Sequence, residues 1–161
     1  MRTWNGSTPL ADMRKFLRLW LPVLLWMGVI FIGSSIGSFP EVGGRTADAI
    51  VHRTAHLIEF TILGWLVLRA NGDGWPLTRR AFITTLIIVT LYGASDEFHQ
   101  RFTPGRSSEL SAVVFDAAGG LIGAGIYRVW RQRTGRKATQ SSSNELRDEA
   151  IPLTHPQSDQ T

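Results

Sequence analysis

The chain has 161 residues, enough for one domain, and its net charge of +4 does not by itself indicate nucleic-acid binding. A nucleic-acid-binding surface gathers its basic residues on one soluble face beside aromatic or polar readers, whereas here they stand at the ends of apolar runs. We therefore expect no nucleic-acid partner. The absence of cysteine excludes a disulfide framework, a CxxC redox motif and a thiolate metal site.

Four apolar stretches follow one another along the chain, at Leu19–Ile36, Ile50–Ala70, Ala81–Ser95 and Leu110–Trp130. A helix that crosses the hydrocarbon core of a bilayer needs about 20 mainly apolar residues. The first stretch meets this requirement without any charge, and it lacks the polar face that a small soluble helical protein would need. The sequence therefore predicts an all-α integral membrane bundle of four transmembrane helices, with the lipid bilayer as its partner.

The first stretch could also be a signal peptide, because basic residues precede it and small residues follow it. Its apolar core is long for that role, so we expect an uncleaved helix.

The basic residues near the ends of the stretches predict the orientation of the helices, since cytoplasmic connections carry an excess of Lys and Arg. Those expected on the cytoplasmic side are Arg2, Arg14, Lys15, Arg18, Arg69, Arg79, Arg80, Arg128, Arg131, Arg133, Arg136 and Lys137. The other side has only Arg45, Arg53, Arg101 and Arg106. Both termini are therefore predicted to be cytoplasmic, in a multi-pass protein of the inner (cytoplasmic) membrane.

The chain divides by composition into three parts. Residues 1–15 are a short cytoplasmic segment, 16–137 form the membrane domain, and 138–161 are polar with few apolar residues to bury. Such a composition favours disorder, so 138–161 is predicted to be a disordered cytoplasmic tail.

Two groups of ionisable residues are predicted near the outer side of the membrane. In HRTAHLIEF, the side chains of His52, His56 and Glu59 share one helix face because they are four and three residues apart. The second group leaves the third helix in SDEFHQRFTPGR, with Asp96 and Glu97 at its start.

Glu59 and Asp116 lie well inside their stretches, where an isolated carboxylate costs several kcal/mol unless it is protonated or paired. Their candidate partners are His56, Arg53 and Arg106. A buried group of carboxylate, imidazole and guanidinium could support general acid and base chemistry.

Three other interpretations stay open. Two imidazoles at i and i+4 with a carboxylate could hold a metal ion, although the chain has no HExxH motif. Intramembrane carboxylates and histidines also form proton or ion relays. Glu97, Arg101 and Glu109 could simply be solvated helix ends.

The runs RTAHLIEFTILGWL and SDEFHQRFTPGRSSELSAVVFDAAGGLIG resemble the VanZ-like family of small membrane proteins, over about Arg53 to Gly123. The residues that match the first block of the family pattern are Arg53, His56, Phe60, Leu63 and Gly64. Those that match the second block are Asp96, Glu97, Gln100, Phe102, Pro104, Gly105, Arg106, Asp116, Gly119 and Gly123. One departure is Ala112, which stands where the family often has an Asp six residues after the Pro-Gly-Arg arginine.

The resemblance implies a membrane protein linked to glycopeptide (teicoplanin) resistance, and it supplies no reaction and no cofactor. Our working hypothesis is an outward-facing pocket that binds an anionic, lipid-linked or cell-wall component of the envelope. We expect Arg53, Gln100, Arg101 and Arg106 to bind the ligand, since guanidinium groups suit carboxylate and phosphate. His56 with Asp96 or Glu97 would be the acid and base pair.

In this hypothesis Glu59 and Asp116 orient or neutralise that pair from below, and we expect no metal. The rival interpretations are a non-catalytic membrane accessory or scaffold protein, and a small ion-coupled or proton-coupled carrier subunit.

Overall fold

The computed structural model describes residues 9–36, 45–72, 77–103 and 110–149, and their regular structure is helical throughout. Its helices are α1 (Pro9–Ser35), α2 (Arg45–Asn71), α3 (Arg79–Gln100) and α4 (Leu110–Glu149). Each contains one of the four apolar stretches, except that Ile36 lies just beyond α1, so the all-α class and the order of the helices are confirmed. The chain divides into two units, Met1–Tyr127 and Arg128–Thr161.

Among the described residues, three helical segments are long and apolar enough to cross a membrane, namely Pro9–Ser35, Arg79–Gln100 and Ser111–Gly135. Helix α2 is not among them, because its first half carries His52, Arg53, His56 and Glu59. It packs instead against α1 and α3, and its Phe60, Leu63 and Val67 are fully buried. Protein surrounds much of α2, which allows this helix to be more polar than its neighbours.

The apolar core of the first unit lies where α1, α2 and α3 meet, around Ile30, Phe60, Leu63 and Val89. Many large apolar side chains of α1 face outward instead, among them Leu24, Leu25, Val29 and Ile32. A water-soluble helix would not present such a surface. The outward apolar faces are consistent with a lipid bilayer around the helices.

Glycines bring α4 against α2 at backbone distance. A Cβ atom on Gly64 of α2 would overlap the backbone of Gly120 of α4, and one on Gly123 would overlap the carbonyl of Thr61. The spacing of small residues in α4 predicts this close approach, which is confirmed at Gly119, Gly120 and Gly123. Gly125 differs, since open space lies beside it.

The sequence NGDGWP between α2 and α3 predicts a tight turn, because Gly and Pro favour turns. Gly72 follows α2, and its N–H donates to the carbonyl of Leu68 at 2.7 Å. Thr78 caps α3, because its side chain accepts a hydrogen bond from the N–H of Ala81 at 3.2 Å. Residues 73–76 of the predicted turn lie outside the described residues.

Helix α4 runs on to Glu149, so the structure describes residues 138–149 of the predicted disordered tail as helical. Extending an existing helix adds one hydrogen bond per residue without a new nucleation cost, which a judgement from composition does not take into account. Residues 150–161 of the predicted tail lie outside the described residues.

Candidate functional site

Five polar side chains from four helices form a buried cluster at one end of the bundle. We call Ser34, His56, Asp96, Gln100 and Asp116 the polar cluster; all of them are at most 6% exposed. Asp96 lies four residues before the end of α3, and Asp116 lies six residues after the start of α4. At about 1.5 Å per residue, the carboxylates are about 6 and 9 Å from those helix ends.

The imidazole of His56 and the carboxylate of Asp116 form the central pair. His56 Nδ1 lies 3.2 Å from Asp116 Oδ1, although the two residues are 60 positions apart. The negative charges of Asp96 and Glu59 also act on the His56 ring. A carboxylate on Nδ1 fixes the orientation of an imidazole and leaves Nε2 as the nitrogen that can exchange a proton with a ligand.

A glycine makes room for this pair. A Cβ atom on Gly93 of α3 would lie 3.0 Å from Asp116 Oδ2 and 3.3 Å from the ring of Phe60. The contact at 3.0 Å is tighter than nine in ten real Cβ contacts. The absence of a side chain at position 93 therefore allows Asp116 to reach α3.

Only one of the two carboxylate oxygens of Asp96 has hydrogen-bond partners among the described residues. Its Oδ2 accepts a hydrogen bond from Ser34 Oγ at 2.8 Å and another from Gln100 Nε2 at 2.7 Å. Its Oδ1 is buried and has no hydrogen-bond partner in the part of the chain that the structure describes. The network joins the end of α1 to the end of α3 and leaves one acceptor unused.

The carboxylate of Asp116 likewise has only one oxygen with a partner among the described residues. Its Oδ1 faces His56, while its Oδ2 is buried without a hydrogen-bond donor among the described residues. A buried acceptor without a donor costs about 1–3 kcal/mol, and more when it carries charge. The cluster therefore has two buried acceptor oxygens that a hydrogen-bond donor could satisfy.

Three more side chains surround the cluster. The Trp26 indole N–H donates to the backbone carbonyl of Glu59 at 2.9 Å, and Tyr92 donates to the carbonyl of Met27 at 2.6 Å. The half-buried side chain of Glu59 turns toward α1, since a Cβ on Gly33 would lie 3.8 Å from its Oε1. These contacts fix α1 against α2 and α3 beside the cluster.

The predicted arginines lie outside the cluster. Arg53 is exposed, with its guanidinium carbon 5.6 Å from the centre of the Phe115 ring. It precedes His56 by about one turn of α2, and Phe115 directly precedes Asp116. Arg101 is exposed at the C-terminal end of α3. Arg106 lies outside the described residues.

The structure also fixes the pairing of the predicted acids. The direct partner of His56 is Asp116, and Asp96 contacts Ser34 and Gln100. The sequence names His56 among the candidate partners of Asp116, but it assigns the acid and base pair to His56 with Asp96 or Glu97. Spacing along one helix cannot determine which helix supplies the partner, because the rotation of α4 is set by its glycine contacts with α2. Glu97 is buried on α3.

The remaining histidines form contacts at the edge of the site. His52 stacks edge-on against His56, with ring centres 4.5 Å apart. His99 Nε2 lies 3.0 Å from Ser35 Oγ, and its ring lies 4.4 Å from that of Phe31. Within the described ranges, no group of three His, Cys, Asp or Glu is placed to hold a metal ion.

Sequence reasoning missed Ser34, Tyr92, Trp26 and Gly93. A signal for Ser34 was present, because a hydroxyl inside an apolar span is expected to face a protein interior. Gly93 carried no comparable signal, since a single glycine in a helix has no preferred partner in the sequence.

Comparison with known proteins gives one family. The family model VanZ/LLP1 matches residues 19–131. This range contains all five members of the polar cluster, together with Arg53 and Glu59. No curated protein matches the chain, and no solved structure matches it.

Proposed function

The chain belongs to the VanZ-like family of membrane proteins, and on that premise we propose that its polar cluster binds an anionic component of the cell envelope. The cluster would face the outer side of the cytoplasmic membrane. Lipid-linked or cell-wall material would reach it at the membrane boundary, because Asp96 and Asp116 lie only about 6 and 9 Å from helix ends. A link to glycopeptide resistance would follow from action on such a component.

The observation that carries the proposal is the buried contact between His56 Nδ1 and Asp116 Oδ1 at 3.2 Å. Interior ionisable groups in a membrane protein are costly and are kept mainly where they serve a function. The pair gives an imidazole of fixed orientation, which can act as a general acid or base toward a bound ligand.

The anionic group of the ligand would bind at Arg53, with Arg101 and Arg106 as further cations. Arg53 supports this role because it lies about one helical turn from His56 and over Phe115, next to Asp116. A guanidinium group there is close enough to hold a phosphate or carboxylate while the rest of the ligand reaches the cluster.

The proposal requires four spans with both termini in the cytoplasm, α2 being the fourth. Reporter fusions in the Gly72 connection and at Ser107 test this arrangement. The two fusions should report opposite compartments, with Gly72 cytoplasmic. A shared compartment would place the polar cluster on the wrong side and rule out the outward-facing site.

Function is tested by offering envelope lipids and peptidoglycan precursors to the purified protein. We expect retention of an anionic ligand, and its loss in His56→Ala and Arg53→Ala while Arg80→Ala, at the other end of α3, keeps it. Chemical change of the ligand would establish an enzyme, and unchanged retention would establish a binding protein or carrier. Equal retention by all the variants would contradict the proposal.

One observation favours a second candidate, a non-catalytic accessory protein. Asp96 joins α1 to α3 through Ser34 and Gln100, as a purely structural network would. Under this alternative, alanine at His56 or Asp96 removes the protein from the membrane. Under the binding proposal, variant protein stays abundant and inserted while ligand retention is lost.

A further inference from the structure

Two buried oxygens of the polar cluster, Asp96 Oδ1 and Asp116 Oδ2, are acceptors without donors in the part of the chain that the structure describes. Both belong to side chains that are nearly or completely buried, at 2% and 0% exposure. An anionic group alone would not satisfy them, because carboxylates repel anions. The structure therefore calls for a ligand group that donates hydrogen bonds at this point.

The two oxygens lie close to one stretch of α3. Asp116 Oδ2 faces Gly93, where a Cβ would be 3.0 Å away, and Asp96 is three residues further along the same helix face. A donor beside Gly93 would therefore contact Asp116 Oδ2, and Asp96 lies about one helical turn further along α3.

The charge of the polar cluster favours a cationic hydrogen-bond donor over a neutral one. The ionisable side chains of the polar cluster are the carboxyl groups of Asp96 and Asp116 and the imidazole of His56. A single imidazolium cannot balance two carboxylates, and buried charges without counter-charges are strongly unfavourable. A cationic donor satisfies both the charge and the open acceptors.

Within the described ranges, no group of three His, Cys, Asp or Glu is placed to hold a metal ion. A primary ammonium group fits the two open acceptors. It has three N–H donors and no acceptor, and it is about as small as a water molecule.

We infer that the ligand carries a primary ammonium group, bound between Asp96 Oδ1 and Asp116 Oδ2, close to the phosphate bound at Arg53. The inference rests on the proposed function for the phosphate. Arg53 lies about one helical turn from His56, so a short linker joins the two charges. Phosphoethanolamine has this chemistry, either as the headgroup of a phospholipid or as a soluble molecule.

The test uses the purified full-length chain in detergent, with binding followed as the rise in thermal unfolding midpoint that a ligand of the native state causes. The probes are phosphatidylethanolamine, its N-methyl, N,N-dimethyl and N-trimethyl forms, phosphatidylglycerol, and soluble phosphoethanolamine. We expect phosphatidylethanolamine to bind at least about tenfold more tightly than the N-trimethyl form and phosphatidylglycerol, as expected for one charge-assisted hydrogen bond. Each methyl group should weaken binding because it removes a donor.

Substitutions at the proposed binding residues test which of them bind the ammonium group and which bind the phosphate. Asp96→Asn and Asp116→Asn should abolish the preference for the primary amine and keep binding of phosphatidylglycerol, while Arg53→Gln should weaken both lipids. The controls Asp12→Asn, in the first turn of α1, and Arg80→Gln, at the start of α3, should change neither. Soluble phosphoethanolamine that binds as tightly as the lipid, with the same dependence on Asp96, would identify the free molecule as the source.

Equal affinity of the unaltered chain for phosphatidylethanolamine, its trimethyl form and phosphatidylglycerol would overturn the inference, even if a variant fails to fold. In that case loss of all lipid binding in Arg53→Gln would leave the proposed anion site standing. If Arg53→Gln binds every lipid as the unaltered chain does, the proposed function fails separately. A preference for the amine that survives both Asn substitutions would also overturn the inference.

Discussion

Ser34 Oγ donates to Asp96 Oδ2 at 2.8 Å, and through this hydrogen bond the end of α1 is fixed to the end of α3. Both side chains are at most 2% exposed, so water does not compete for the bond. The acceptor is a carboxylate, which makes the bond stronger than one between neutral groups. Ser34 and Gln100 both donate to Oδ2, which leaves Oδ1 of Asp96 open among the described residues.

Ser34→Ala should lower the free energy of unfolding by about 1–3 kcal/mol, because it removes a donor to a buried charged acceptor. The measurement is denaturant unfolding of the purified protein in detergent. Ser35→Ala is the matched control. Ser35 is exposed, and its hydroxyl bonds the carbonyl of Phe31 in its own helix, so a change within about 0.5 kcal/mol is expected. Equal losses in the two variants would contradict the role given to Ser34.

Gly93→Ala should destabilise the protein by about 1–3 kcal/mol, as overpacking does in a close-packed interior. The new Cβ would lie 3.0 Å from Asp116 Oδ2 and would push that carboxylate from His56. Gly28→Ala is the control, because nothing lies within 4 Å of its Cβ position. There the substitution should stabilise by about 0.5–1 kcal/mol, since alanine favours the helix. Thermal unfolding of both variants gives opposite signs if the packing is as described.

Gly123→Ala should be more damaging than Gly93→Ala, because its Cβ would overlap the backbone carbonyl of Thr61, which cannot rotate away. We expect little inserted protein, measured as the yield of monodisperse protein from membranes. Gly125→Ala, two residues further along α4, should express normally, since open space lies beside Gly125. Normal yield of Gly123→Ala would show that α2 and α4 are not in backbone contact.

His56 and Asp116 should behave as one unit in a double-mutant cycle. Removing either partner alone leaves the other buried and unpaired, which costs about 3–5 kcal/mol when a buried ion pair is broken. Removing both should cost less than the sum of the single losses, with an interaction energy of about 0.5–3 kcal/mol. Denaturant unfolding of His56→Ala, Asp116→Ala and the double variant measures this interaction energy. Strict additivity would mean that the contact at 3.2 Å contributes nothing.

The sequence predicts the helices well because each contains an apolar run long enough to be recognised. The basic residues Arg69, Arg79 and Arg80 also mark the connection around Gly72, between α2 and α3. It also identifies His56, Asp96, Gln100 and Asp116 as chemically unusual, since ionisable or amide groups near apolar runs need partners. All four are buried in the structure.

The sequence offers His56 only as one of several candidate partners of Asp116, and it could not select this pair. Asp116 reaches His56 only because α4 is rotated by its contacts with Gly64 and Thr61, and because Gly93 leaves room on α3. Such relationships depend on the packing of three helices and on residues up to 60 positions apart. The helical structure of residues 138–149 could not be predicted from composition, because composition does not show that these residues continue an existing helix.

The contact between Gly64 and Gly120 limits which second mutations can restore a protein with a substitution at Gly64. When two large side chains meet, a bulkier residue at one position can be compensated by a smaller residue at the other. Here each position already has the smallest residue, and the Cβ of any replacement at Gly64 would overlap the backbone of Gly120. A suppressor screen on Gly64→Ala should therefore return no second substitution at position 120, and any revertants should carry changes that move α2 and α4 apart.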